Sequence, residues 1–132
     1  MSASSPGSSE DARTVLGRFY DAIRRRDFSA ARACLADEMT FLGLFETYPS
    51  ADAYLATFRQ LLQITTALDV KVLIGQGDDA AIFFELETTA PVPARVLVAE
   101  WHETRNGKIV RARSAFDGRP YAAMFSSPPP SR

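Results

Sequence analysis

Four side chains in the second half of the chain could handle protons. Glu85 and Glu87 stand two residues apart, and so do Glu100 and His102. Each pair lies in a segment of strand-like composition, and side chains two apart on a strand share a face. Carboxylates brought together away from water can divide into one neutral acid and one ionised base. A histidine beside them can carry protons near neutral pH. The bland alternative is an exposed strand face on which Glu85, Glu87 and Glu103 pair with Arg95, Arg111 or Arg113 across the sheet.

Other chemistries are excluded by composition or context. The chain has one histidine and one cysteine, so no zinc-ligand spacing exists and no metal or other cofactor is expected. Cys34 lies in the apolar run Ala33-Cys34-Leu35, where a free thiol is a small buried hydrophobe. Gly75-Gln76-Gly77-Asp78-Asp79-Ala80 fits a loose dinucleotide fingerprint. That motif must open a helix, and here a strand follows, so the segment is a hairpin turn. No nucleophile elbow is present.

The elements that must position the four groups follow from periodicity. Ala12, Val15, Leu16, Phe19, Tyr20 and Ile23 form one helical stripe, with Ser8 or Ser9 as its expected cap. Asp27 caps a short second helix that turns Phe28, Ala31, Cys34 and Leu35 inward. A third helix follows Pro49-Ser50, with Ala51, Tyr54, Leu55, Phe58, Leu61 and Leu62 on one face. A short strand over Met39–Phe45 lies between the second and third helices. Four strands then succeed one another: one around Leu68–Ile74, then Ala80–Thr89, Arg95–Arg105 and Lys108–Asp117. Asn106-Gly107 marks the last hairpin. Helices grouped ahead of an antiparallel meander define an α+β fold.

The chain has 132 residues, 46% hydrophobic and 23% charged, which fits one domain over residues 10–125. Residues 1–9 and the proline-rich 126–132 are expected to be disordered tails. Fifteen basic and sixteen acidic residues give a net charge of −1, without the basic surplus of a nucleic-acid binder. The Arg24-Arg25-Arg26 cluster is a helix C-terminus. No apolar run reaches the ~20 residues of a membrane helix, and the polar first nine residues are no signal peptide. A single cysteine is consistent with a reducing, cytoplasmic home.

The order of elements carries a resemblance, together with Asp27-Phe28 opening the second helix and Leu35-Ala36-Asp37-Glu38 ahead of the short strand. So do Asn106-Gly107-Lys108-Ile109-Val110 and Phe116-Asp117-Gly118-Arg119-Pro120-Tyr121 at the end. The chain resembles the nuclear transport factor 2-like superfamily, which includes SnoaL-like cyclases, ketosteroid isomerases and limonene epoxide hydrolases. The resemblance spans about residues 10 to 125. It implies an open cone of curved, mostly antiparallel sheet wrapped by three N-terminal helices around a pocket, commonly in a dimer. The family's catalytic positions are altered: Gly43 aligns with the isomerase base, Phe19 with the first-helix tyrosine (Tyr20 is adjacent), and Ser114 with the last-strand acid. Glu100 falls near the isomerases' oxyanion-side aspartate.

That alignment implies a register with Phe83, Glu85 and Glu87 inward, beside Val96, Val98, Glu100 and His102, and with Ala112, Ser114 and Phe116 from the last strand. The opposite register places Phe84, Leu86, Leu97, Ala99 and Trp101 inside. The chain alone does not choose, because a slip of one residue exchanges the two faces. In a cone fold the core is also the pocket wall. Tyr20, Phe41, Phe45, Tyr54, Phe58, Phe83, Val98, Ser114 and Phe116 are therefore the candidate ligand contacts. The expected ligand is a small, largely apolar molecule. The expected activity is a cofactor-independent acid–base step of isomerase, cyclase or epoxide hydrolase type, with Glu85, Glu87, Glu100 and His102 as its groups. A non-catalytic binding or assembly protein of the same fold is the alternative.

Two further expectations concern surfaces. Bulky residues on both strand faces, such as Phe83 with Phe84 and Trp101 beside Val98, require the outer sheet face to be covered, which predicts a symmetric homodimer. After the turn at Asp117–Pro120, the apolar Tyr121, Ala122, Met124 and Phe125 fold back, either as a flap at the cone mouth or against the sheet's outer edge.

Overall fold

A computed structural model describes residues 10–125; the two tails expected at 1–9 and 126–132 lie outside the described residues. Helix α1 (Ala12–Arg24) turns Val15, Leu16, Phe19, Tyr20 and Ile23 into the core. Its cap is Asp11, not an upstream serine: the Asp11 carboxylate accepts the Thr14 N–H at 2.9 Å. Helix α2 (Phe28–Ala33) is capped by Asp27, whose carboxylate accepts the Ala30 N–H at 3.0 Å. Helix α3 (Ala51–Gln63) is capped by Ser50 and buries Tyr54, Leu55, Phe58 and Leu62.

The sheet comprises β1 (Leu35–Leu42), β2 (Thr47–Tyr48), β3 (Thr65–Gln76), β4 (Asp79–Thr88), β5 (Ala94–Arg105) and β6 (Lys108–Phe116). Its spatial order is β2-β1-β6-β5-β4-β3. All neighbours are antiparallel except β1 and β6, which run parallel. The architecture is the α+β fold read from the sequence: three helices and a curved, open, mostly antiparallel sheet. β1 starts and ends earlier than the sequence suggests, which leaves Leu44 and Phe45 in a turn closed by the Gly43 N–H to Glu46 carbonyl bond at 2.8 Å.

The strand faces are set by burial. On β4 the inward row is Ala80, Ile82, Phe84, Leu86 and Thr88. On β5 it is Val96, Val98, Glu100, His102 and Thr104. Cross-strand pairing of Phe84 with Val98 and of Ile82 with Glu100 joins the two rows. A bulge in β3 between Val70 and Val72 keeps Leu73 inward after Val70. At the β5–β6 turn Asn106 and Gly107 adopt φ of 54° and 76°, the pair of positive values that a two-residue type I′ hairpin needs. After β6, a 3₁₀ turn (Arg119–Tyr121) leads into a short helix α4 (Ala122–Phe125). No described helix is long and apolar enough to cross a membrane.

Candidate functional site

Between the concave sheet face and α3 lies a cavity of about 390 Å³. β5 and β6 form its floor: Val98 and Glu100 project from β5, and Ser114 and Phe116 stand opposite them on β6. β4 adds Phe84 and Leu86. Phe41 from β1 stacks on Tyr54 from α3 at 4.6 Å between ring centroids, and Phe58 meets Tyr54 edge-on at 5.8 Å. The Gly43–Glu46 turn and Tyr121 complete the mouth. The Tyr121 hydroxyl is anchored to that of Thr88 at 2.7 Å. Tyr121 is buried and lines the cavity, while the side chains of Met124 and Phe125 lie outside what the structure describes.

Glu100 is the chemical centre of this cavity. It is 7% exposed, in a wall that is otherwise almost wholly apolar and aromatic. Oxygen Oε1 accepts the Tyr20 hydroxyl proton and also meets His102 Nε2 at 2.8 Å. Phe19, the residue aligned with the family's first-helix tyrosine, packs instead against Tyr54 and Phe58. His102 is fully buried behind Glu100, and its Nδ1 has no partner among the described residues. Burial first, and then the negative charge of Glu100, hold the Tyr20 and Tyr54 phenols well above their ordinary pKa. Both are therefore O–H donors throughout the physiological range. The Tyr54 hydroxyl is itself buried without a hydrogen-bond partner.

Glu85 and Glu87 are not part of this group. They lie on the outer face of β4, where Arg95 Nη2 reaches Glu85 at 2.9 Å and Arg95 Nη1 reaches Glu87 at 3.4 Å. Lys71 stands 3.7 Å from Glu85. The expectation that they face the cone is corrected by the phase of β4. Turning them inward would expel Phe84 and Leu86 from the core and bury two carboxylates, a cost the outer ion pairs avoid. Phe83 goes with them to the outer face, beside Ala99 and Trp101. Each of the two registers read from the sequence thus describes part of the sheet: β5 and β6 present the row with Glu100 and Ser114, and β4 the row with Phe84 and Leu86.

Of the other candidate contacts, Phe41, Phe45, Tyr54, Phe58, Val98, Ser114 and Phe116 line the cavity, and Tyr20 sits behind it, reaching Glu100. The sequence reading missed Tyr48 and, as ligand contacts, Phe84 and Leu86. The signal for the last two was the alternating Ile82, Phe84, Leu86 row. Among the described residues no group of three or more His, Cys, Asp or Glu side chains is arranged to hold a metal ion.

A curved, open sheet wrapped by three helices defines a fold class, and the comparisons agree on that fold. The family model for the SnoaL-like domain matches residues 16–112, and the chain belongs to that family, within the nuclear transport factor 2-like superfamily. A protein from Kribbella flavida is 25% identical, with a TM-score of 0.77 over 85% of this chain and 91% of that one. An NTF2-like protein from Burkholderia thailandensis is 21% identical, with a TM-score of 0.77 over 89% and 99%. An LEH-like epoxide hydrolase of M. tuberculosis is 16% identical, with a TM-score of 0.71 over 86% and 88%. No curated protein matches the chain.

Proposed function

We propose that the cavity binds a small, largely apolar molecule and that Glu100 moves a proton on it. The observation that carries this reading is the division of labour within one carboxylate. Oε1 is held by Tyr20 and His102, which fixes the orientation of the group. That leaves Oε2 as the oxygen with which Glu100 meets a ligand. A substrate C–H or O–H proton would pass to Oε2, and the same oxygen would return it at another atom, leaving the enzyme unchanged after an isomerisation or an aldol-type ring closure. An epoxide would instead be opened by a water that Glu100 deprotonates, with that proton passed to the ring oxygen. The fold shared with an epoxide hydrolase supports including that reaction.

The test is turnover of enones, aldol-type polyketide precursors and epoxides by the unmutated chain and by Glu100→Gln. Turnover that falls about 10²–10⁴-fold in the variant supports the reading, and turnover that survives undiminished sinks it.

One observation favours the non-catalytic alternative. Gly43 and Ser114 both line the cavity, at the two positions where the resembled enzymes carry acids. Saturable binding without turnover of any of the three classes would establish that alternative.

We also propose that the outer sheet face pairs with a second copy of the chain. Leu97, Trp101 and Ile74 lie on it at 57%, 48% and 55% exposure. Arg113 stacks over Trp101 at 3.9 Å while bonding Glu103 at 2.8 Å, which holds the indole flat against the sheet. A flat apolar patch rimmed by ion pairs of both signs suits a self-complementary two-fold contact.

A further inference from the structure

We propose that the ligand of the cavity carries a positive charge on an apolar skeleton: a hydrophobic amine in its ammonium form. This rests on the reading that the cavity takes a small apolar molecule and adds the charge of that molecule. Two observations point to it.

First, the described residues that line the cavity include two carboxylates, Glu46 and Glu100, and no Lys, Arg or His. Glu46 is at the mouth, where its Oε1 accepts the Tyr48 hydroxyl at 2.7 Å. Glu100 is at the floor. The charges near Glu100 give it no cation inside the cavity: Arg113 is turned to the outer face, toward Trp101 and Glu103. His102 is wholly buried behind Glu100 and does not line the cavity. A carboxylate in an apolar wall with neutral donors alone is an incomplete site, and an ammonium in the cavity would complete it.

Second, the wall around it is aromatic. Phe41, Tyr54 and Phe58 from one side and Phe84 and Phe116 from the other line the cavity. The faces of such rings attract a desolvated cation, and enclosing several of them around one site is how alkylammonium groups are recognised.

Anionic ligands meet two carboxylates and no counter-charge, so they are refused.

The test is calorimetric titration of the 132-residue chain at neutral pH with three compounds of one shape: 1-adamantylammonium, 1-adamantanol and adamantane-1-carboxylate. The ammonium is expected to bind about tenfold or more tightly than the alcohol, the size of one or two cation–π contacts plus an ion pair, and the carboxylate weakest. Glu100→Gln should erase the difference between ammonium and alcohol. The decisive comparison uses the unmutated chain, so it stands whether or not a variant folds. Alcohol binding as tight as ammonium binding overturns this inference and leaves the cavity reading intact. Failure of all three to bind overturns both.

Discussion

The Tyr20 hydroxyl, from the first helix, donates to the carboxylate of Glu100, eighty positions later on β5. Tyr20 is buried from water, and Glu100 is buried except where it lines the cavity. Tyr20→Phe keeps the ring and its contact with Phe84 at 5.2 Å and removes one donor from a buried charge. The expected loss of stability is about 1–3 kcal/mol, read by urea denaturation. A loss below about 0.5 kcal/mol would show that Glu100 is satisfied without Tyr20.

The same burial makes stability depend on alkaline pH. The phenols of Tyr20 and Tyr54 are pushed well above 10.0, chiefly by burial and next by Glu100. An unfolded chain ionises them near 10, so above that pH the folded state holds more protons and stability falls as pH rises. Below 10 the two states hold the same protons and the effect vanishes. Denaturation midpoints measured from pH 8 to 11 should be level and then drop, with a shallower drop in Tyr54→Phe. Tyrosinate absorbance appearing near pH 10 from every tyrosine of the folded chain would contradict this.

Carboxylates on the two sheet faces should behave differently. Glu85→Gln disturbs an exposed ion pair with Arg95, and such pairs contribute about 0–1 kcal/mol. Ligand affinity should be unchanged in Glu85→Gln and in Glu87→Gln. An effect of either on affinity as large as that of Glu100→Gln would mean that the inner and outer faces are not separate.

The mouth can be adjusted from outside the cavity. A Cβ at Gly118 would collide with the Leu44 side-chain methyl and lie 2.7 Å from Phe45 Cζ. Both are ends of side chains on the Gly43–Glu46 turn, so they can move while the core does not. Gly118→Ala should leave the unfolding midpoint nearly unchanged and speed ligand dissociation, measured by stopped flow. A large loss of stability with unchanged dissociation would mean that the turn is rigid and no part of the entrance.

Assembly is tested on the outer face. Leu97→Asp places a charge in the patch with Trp101 and Ile74 and touches nothing in the cavity. Light scattering at micromolar concentration should give a dimeric mass for the unmutated chain and a monomeric one for the variant. A monomeric mass for the unmutated chain would end the dimer proposal.

The helices and the final hairpin were legible because their signals are local. Val15, Phe19 and Ile23 recur at helical spacing, and Asn106-Gly107 supplies the positive φ values its turn requires. On β5, Val96, Val98, Glu100 and His102 mark one face by alternation with Leu97 and Trp101, yet Leu97 and Trp101 are apolar too, so only packing chose between them. On β4 the unbroken Ile82-Phe83-Phe84 run carries no phase. The register implied by the resemblance turns Glu85 and Glu87 inward there, and only packing of Phe84 and Leu86 against the core selects the other. The β3 bulge between Val70 and Val72 and the orphaned Tyr54 hydroxyl exist only in three dimensions; no pattern of residue types announces them.

The sheet order has a temporal consequence. β6, the last strand of the described chain, lies between β1 and β5 and pairs with both. A nascent chain that has released everything through β5 therefore has β1 and β2 on one side, the β3–β5 meander on the other, and a gap where the floor belongs. Ser114 and Phe116 close that gap only once β6 has been made. Contacts of such long sequence separation form slowly, and until they form, the edges of β1 and β5 are open to strands of other molecules. Chaperone dependence during synthesis, and aggregation of chains shortened before Lys108, are thus built into the strand order that creates the pocket.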